Sequence, residues 1–205
     1  VVPDPIIEEY GADTFRTYLM FLGPFESGGD YRQEGIQGPF GFLHRLFDTV
    51  VSARDGEPDG PIERKLHRTI KQVTEQLRDL QYNTAVAAMM EYLNAVRSGG
   101  RRAARPEIEP LVALVAPFAP HLAEELWERL GGTYSVHNQA WPGFDERLLA
   151  SQQVTIVVQV NGRVRDRFQA EPGMSEAEAV DAAAGMPRVG EFVAGKPIRQ
   201  AFYVQ

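Results

Sequence analysis

The chain contains no cysteine, which excludes disulfides, thiolate metal sites and cysteine nucleophiles and fits a reducing compartment. No stretch is long and apolar enough to span a bilayer. The segment Val1 to Gly11 lacks both the basic start and the apolar core of a signal peptide. The expectation is a soluble cytoplasmic protein with no membrane partner. The strings that announce nucleotide, serine-hydrolase or zinc-protease chemistry are missing as well: GxGxxG, GxxxxGKS or GxxxxGKT, GxSxG and HExxH do not occur. The four histidines, His44, His67, His121 and His137, fall in four separate segments without metal-ligand spacing. No catalytic residue, metal ligand or cofactor-binding residue is expected in this chain, and there is no internal repeat.

What is present is ordinary globular material: 205 residues, 43% hydrophobic and 24% charged, enough for one medium and one small domain. The net charge of −7 argues against a general nucleic-acid binder, DNA included. Binding answers to local potential, so an RNA-contacting surface would have to be a patch on an acidic body.

Hydrophobic spacing predicts a helical first part. Asp4 can cap a helix that starts at Pro5 and stops at Gly11, and a second follows over Asp13–Leu22. Breakers from Gly23 to Asp30 make a loop. Ile36, Phe40, Leu43, Phe47, Val50 and Val51 then mark one helix face. After a connector, Ala53 to Pro61, a long helix carries Leu66, Ile70, Val73, Leu77 and Leu80 on one stripe. Asn83 or Thr84 caps the next, and two more follow, one through Val115 and one from Pro120 to a Gly131 stop. The pattern is that of an antiparallel helix bundle. Near Ser151 the period changes. A β-branched run meets Asn161-Gly162, the strongest short signal for a type I′ hairpin. Ser175 with Glu178 forms a capping box, a shorter helix is expected around Val189–Val193, and Pro197–Gln205 reads as a closing strand. The fold class is mainly α with a small α+β domain, a helix bundle followed by a ββααβ unit.

Three basic groupings are candidate RNA contacts. Arg64, Lys65, His67, Arg68 and Lys71 lie early on the long helix, and Arg64, Arg68 and Lys71 share a face at i, i+4 and i+7. Arg97, Arg101, Arg102 and Arg105 crowd a glycine-containing turn. Arg163, Arg165 and Arg167 are expected to alternate onto one side of the hairpin's second strand. For the first two groupings a solvated face is the competing reading. The third invites an anionic partner, because like charges on one strand face repel and the guanidinium fork fits phosphate. The paired carboxylates Glu8-Glu9 and Glu124-Glu125 point to different helix faces and read as solvated charge, and Met89-Met90 reads as core filler.

Several strings together resemble one family. VVPDPIIEEYGADTFRTYLMFLGP is similar to the segment that follows the KMSKS loop in bacterial-type leucyl-tRNA synthetases, and YRQEGIQGPFGFLHRLF to the start of their anticodon-binding domain. NTAVAAMMEYLNAV, LVAPFAPHLAEELWERLG and HNQAWPGFDERLL continue in the family's order. VVQVNGRVRDRF resembles the hairpin of their C-terminal domain. The helical strings are shared with valyl, isoleucyl and methionyl relatives; the hairpin string is the more specific. The resemblance implies residues 1–30 as a helical connector after the catalytic domain, 31–150 as an anticodon-binding-type bundle and 151–205 as a tRNA-binding α+β domain. It implies leucine tRNAs and the catalytic domain, in cis or in trans, as partners. ATP and leucine would bind that catalytic domain, since neither HIGH nor KMSKS occurs here. It also implies an elbow-binding C-terminal domain and little reliance on the anticodon. Asn161, Gly162, Arg163 and Arg165 match the family's hairpin. Charge adds Arg167, Lys196 and Arg199, with Arg64, Arg68 and Lys71, as candidate tRNA contacts. Tyr31 stands where many relatives have Trp, and the family usually continues past the last strand with a PGKLVN-like segment. The start just after the KMSKS position suggests a fragment, a split subunit or an incomplete gene product. The rival expectations are a helical protein-interaction subunit of a split synthetase and the equivalent part of a valyl, isoleucyl or methionyl enzyme.

Overall fold

The computed structural model describes residues 2–149, 154–170 and 174–193. The chain divides into two compact units, Val1–Leu148 and Leu149–Gln205. Among the described residues it is mostly helical, with one two-stranded antiparallel sheet.

The first unit opens with α1 (Asp4–Tyr10) and α2 (Ala12–Phe21), separated by Gly11 alone. Gly11 adopts φ +83°, a conformation glycine reaches without a Cβ penalty, so the chain reverses in a single residue. Pro3, not Asp4, occupies the cap position of α1, a one-residue difference of the usual size at helix ends. The segment 1–30 is not separate from the bundle. The Asp13 carboxylate on α2 accepts the Leu122 amide at 2.7 Å, so it caps α7 (Pro120–Arg129) from a distant part of the chain.

α3 (Gln37–Val51) buries Phe42, Leu43, Leu46 and Val50. This corrects the expected stripe. Phe40 and Phe47 lie only partly buried and Val51 is half exposed, because the helix is turned so that Phe42 and Leu46 enter the core. α4 (Gly60–Arg78) buries Leu66, Ile70 and Val73 as expected, but it ends at Arg78. Leu80 lies past its end, exposed and with φ +56°. α5 (Tyr82–Ser98) begins before the expected caps and buries a nearly continuous face from Ala85 to Val96. Its small residues Ala85 and Ala88 let α4 pack closely along it. α6 (Arg105–Val115) and α7 complete the bundle, whose core includes Phe42, Leu46, Ile70, Met89, Tyr92, Leu111, Phe118 and Leu126. A strap then crosses α4. The Trp141 indole donates to Thr74 Oγ1 at 2.8 Å, and the Asp145 amide donates to His67 Nδ1 at 2.9 Å. A single turn, α8 (Glu146–Leu149), follows.

In the second unit β1 (Val154–Val160) and β2 (Arg163–Ala170) pair antiparallel through Asn161 at φ +53° and Gly162 at φ +75°. Two successive positive φ values are those of the expected type I′ turn. Ser175 and Glu178 cap α9 (Glu176–Ala184) reciprocally. α10 (Pro187–Val193) packs on α9 and on both strands. The closing strand expected over Pro197–Gln205, with Lys196 and Arg199, lies outside the described residues.

Candidate nucleic-acid interface

The three basic groupings come to different ends. Arg64, Arg68 and Lys71 do share the side of α4 opposite its buried stripe. They are not free-standing charges: Arg68 Nε donates to the Arg64 carbonyl at 3.3 Å, and Lys71 Nζ lies 3.9 Å from Glu75, one turn on. Both members of that pair are exposed, so water and salt screen it and it holds the lysine weakly. The face remains available to an anion, with an acidic residue at one end.

Three of the four arginines of the turn grouping, Arg97, Arg101 and Arg102, are structural. Arg101 grips Glu107 through two bonds of 2.8 and 2.7 Å, and Glu107 is fully buried. The same carboxylate accepts the amides of Asp59 and Ala104, each at 2.7 Å. Burial alone pushes the Glu107 pKa up; the Arg101 bonds and the two amides outweigh it and hold the pKa below the ordinary glutamate value. Arg102 donates to the Ser52 and Ala53 carbonyls, and Arg97 to Thr49 and the Arg45 carbonyl. These guanidiniums close the ends of helices and the connector between α3 and α4.

The hairpin departs from expectation in one respect that changes its chemistry. The ladder pairs Val158 with Asp166 but Gln159 with Val164, so Arg165 is an extra, unpaired residue on β2. Residues opposite each other in a ladder share a face, and successive positions along β1 do not. Arg163, opposite Val160, therefore shares the face of Ile156, Val158, Asp166 and Phe168, whereas Arg167, opposite Val157, shares that of Thr155, Gln159 and Val164. The expectation of three arginines on one side fails because a β-bulge shifts the alternation by one. Arg163 and Arg167 are exposed. Arg165 is half-buried, its guanidinium carbon 3.8 Å from the centre of the Phe192 ring on α10, within cation–π range. Among the described residues its Nε has no hydrogen-bond partner.

A fourth basic site had no local signal in the sequence. Arg54, Arg105 and Arg129, distant along the chain, border one cleft of about 310 Å³ with Asp55. Of the three, Arg105 alone belongs to a basic grouping in the sequence.

Among the described residues, one constellation resembles a catalytic set and is not wired as one. Ser135 donates its hydroxyl to Glu124, and His137 Nε2 lies 3.7 Å from that carboxylate. The Ser135 bond, with the Val136 amide and His137, holds the Glu124 pKa below its ordinary value. The imidazole faces the carboxylate and not the hydroxyl, so the serine–histidine pair of a nucleophilic site is not formed.

Residues 59–180 match the family model for the anticodon-binding domain of tRNA ligase. Over 212 residues the chain is 43% identical to the leucine-tRNA ligase of Rubrobacter xylanophilus, covering all of this chain and 26% of that protein. It is 41% identical over 206 residues to the leucine-tRNA ligase of Herpetosiphon aurantiacus, covering 96% of this chain and 25% of that protein. The chain thus spans about a quarter of the length of the curated relatives it matches. The fold is similar to that of a chain in the crystal structure of the ternary complex of Agrobacterium radiobacter K84 agnB2 LeuRS-tRNA-LeuAMS. The TM-score is 0.77 at 27% identity, over all of this chain and 29% of that one.

Proposed function

Because the chain belongs to the family of the anticodon-binding domain of tRNA ligase, we propose that it is the tRNA-holding part of a bacterial-type leucine-tRNA ligase, placing a leucine tRNA for a catalytic domain supplied in cis or in trans. The observation that carries this reading is the similarity to leucine-tRNA ligases along the whole chain, joined to the likeness to a LeuRS in complex with tRNA. The complete enzyme joins leucine to its tRNA at the expense of ATP; ATP and leucine bind the catalytic domain, and this chain alone does not leucylate. It acts in the cytoplasm. No helix among the described residues is long and apolar enough to cross a membrane.

The chain's own contribution is affinity and placement. Holding a tRNA body far from the reacting ester fixes the acceptor end in a near-attack position, converting a loose encounter into an oriented one. Discrimination between amino acids lies elsewhere, in pockets that contact the side chain. Arg163 and Arg167 meet RNA from the two faces of the hairpin, so the ribbon works as a wedge between phosphates. Arg165 is a positioning residue, fixing β2 on α10 through Phe192. Lys196 and Arg199, outside the described residues, are further candidate contacts by charge alone, and Arg64, Arg68 and Lys71 give the bundle a second, weaker contact. Such contacts set register by backbone charge and shape, with no base readout.

A second reading is favoured by one observation: Val2, Ile7, Leu19 and Phe25 are exposed, Phe25 by 66%. That surface suits docking to a catalytic chain in a split enzyme, and it is compatible with tRNA holding. Filter binding of the 205-residue chain to leucine, isoleucine and methionine tRNAs tests the main reading. Preference for leucine tRNA supports it; equal binding of all three points to a shared part of the related synthetases.

A further inference from the structure

The hairpin tip carries a chemistry that holding RNA does not use. The chain has four asparagines, Asn83, Asn94, Asn138 and Asn161, and Asn161 alone precedes a glycine. Asn161, Gly162 and Arg163 are all exposed. A Cβ built on Gly162 would meet nothing within 4 Å, and among the described residues no hydrogen bond engages the Gly162 amide. A backbone nitrogen in that state, with no side chain shielding it, can reach the side-chain carbonyl carbon of the residue before it. We propose that Asn161 is a site of spontaneous deamidation, and that the reaction loosens the hairpin's hold on RNA. The modification stands on the geometry of the turn; its effect on RNA rests on the tRNA-holding reading.

The step balances with water as the co-reactant. The Gly162 nitrogen bonds to Asn161 Cγ and gives its proton to solvent, the bond from Cγ to Nδ2 breaks, and ammonia leaves with a proton from solvent. The product is a cyclic succinimide. Water then adds at either ring carbonyl and reopens it as aspartate or as isoaspartate, in which the main chain runs through the side-chain carbon. Nothing is oxidised or reduced.

Attack needs Asn161 to rotate out of its turn conformation, φ +53°, and the ladder makes that rotation easy. Between the turn and the bulge at Arg165 the strands are joined by the pairs Val160–Arg163 and Gln159–Val164, so the tip can open without unzipping the rest. The other asparagines lack this freedom. Asn94 lies inside α5 and Asn83 in its first turn, before the β-branched Thr84. The amide that follows Asn138 donates to the Val136 carbonyl at 3.2 Å.

Both products act on Arg163, the residue beside the turn. Aspartate keeps the turn, since Asp-Gly suits type I′ as Asn-Gly does. It sets a negative charge beside an exposed guanidinium and lowers the local positive potential. Isoaspartate adds a methylene to the main chain, so the two-residue link no longer matches the twist of the strands and the Val160–Arg163 pair is displaced.

The test ages the 205-residue chain at mildly alkaline pH and body temperature, then digests it and maps every asparagine by mass. Isoaspartate is located by enzymatic methylation of its carboxylate. The Asn161 peptide should gain the mass of an amide-to-acid exchange ahead of the peptides of the other three asparagines. Asp55-Gly56 and Asp59-Gly60 reach isoaspartate through the same ring without a mass gain, so mass separates them from Asn161. Asn161→Gly, which keeps a permitted turn, should form no product there and should bind tRNA alike when fresh and aged. Asn161→Asp should bind a leucine tRNA transcript about two- to fivefold more weakly than the fresh parent, and the aged parent should lose affinity with the extent of modification. No product at Asn161, or product at the other asparagines at the same rate, overturns the proposal. Product at Asn161 with the fresh chain's tRNA affinity retained overturns it too, since the modification would then leave RNA holding untouched. A fresh chain that binds no tRNA defeats the tRNA reading and the RNA effect together, while the mass map still decides the modification.

Discussion

Glu107 is the residue on which the first unit depends most visibly for its polar order. A fully buried carboxylate is tolerable only when every lone pair is used, and Arg101, Asp59 and Ala104 together use them. Glu107→Ala leaves the Arg101 charge without its partner and two amides unsatisfied, and it should destabilise the unit by about 3–5 kcal/mol in a urea titration. The pH dependence follows from the direction of its pKa, which is below the ordinary value in the folded chain. The unfolded chain then binds the proton at higher pH than the folded one. The stability from Glu107 is complete above about pH 4.3, the free-glutamate value, and disappears as pH falls through the lowered folded pKa. Glu107→Gln, which cannot ionise, should flatten the acid side of a stability-versus-pH curve; an unaltered curve would deny the carboxylate this role. In the sequence Glu107 was indistinguishable from any acid in a first helical turn. Arg101 and Ala104 are near it in the chain, but its fourth bond comes from the Asp59 amide in a connector some fifty residues earlier, which no local pattern encodes. Asn161 was the opposite case, legible because a type I′ turn depends only on the residues within it.

Elements were read well where one physical rule governed them and poorly where tertiary packing intervened. The hairpin turn and the Ser175–Glu178 box appear where turn and capping chemistry put them, and the bundle helices appear in the expected order with ends displaced by a residue or two. The face of α3 did not. Phe40, Phe42, Leu43, Leu46 and Phe47 admit two overlapping stripes, and only packing against the neighbouring helices selects Phe42 and Leu46. The bulge in β2 was equally invisible, since RVRDRF alternates without interruption in the sequence. Arg165 gives the bulge a testable consequence. Stacked on Phe192, it should contribute about 0.5–1 kcal/mol to the second unit. Arg165→Ala should lose that in thermal unfolding, while Arg165→Met, which keeps the long apolar stem, should recover part of it. Equal stability of all three forms would show the stacking to be idle. The cap supplied by Asp13 to α7 makes a parallel case: Asp13→Ala should cost about 0.5–2 kcal/mol, and circular dichroism with urea would register it.

At the scale of the whole molecule, an acidic chain carries its positive groups in separate places with separate roles. Arg97, Arg101 and Arg102 are consumed within the bundle. Arg163 and Arg167 remain exposed on opposite hairpin faces, and Arg54, Arg105 and Arg129 converge on a cleft where Asp55, Glu109 and Glu125 offset them. The sequence revealed which family the chain belongs to and which segments are basic, but not which guanidiniums the fold uses up. That division depends on partners brought together from distant segments. The central claim is that the hairpin arginines hold tRNA by its phosphates. Its most direct test is a salt titration of leucine tRNA binding by the 205-residue chain beside its Arg163→Ala and Arg167→Ala variants. The account predicts that log Kd rises linearly with log salt in the parent. Each variant should bind more weakly, with a slope shallower by about 0.7–0.9 for the phosphate contact it has lost. No measurable binding, or variants that bind with the parent's affinity and slope, would contradict it.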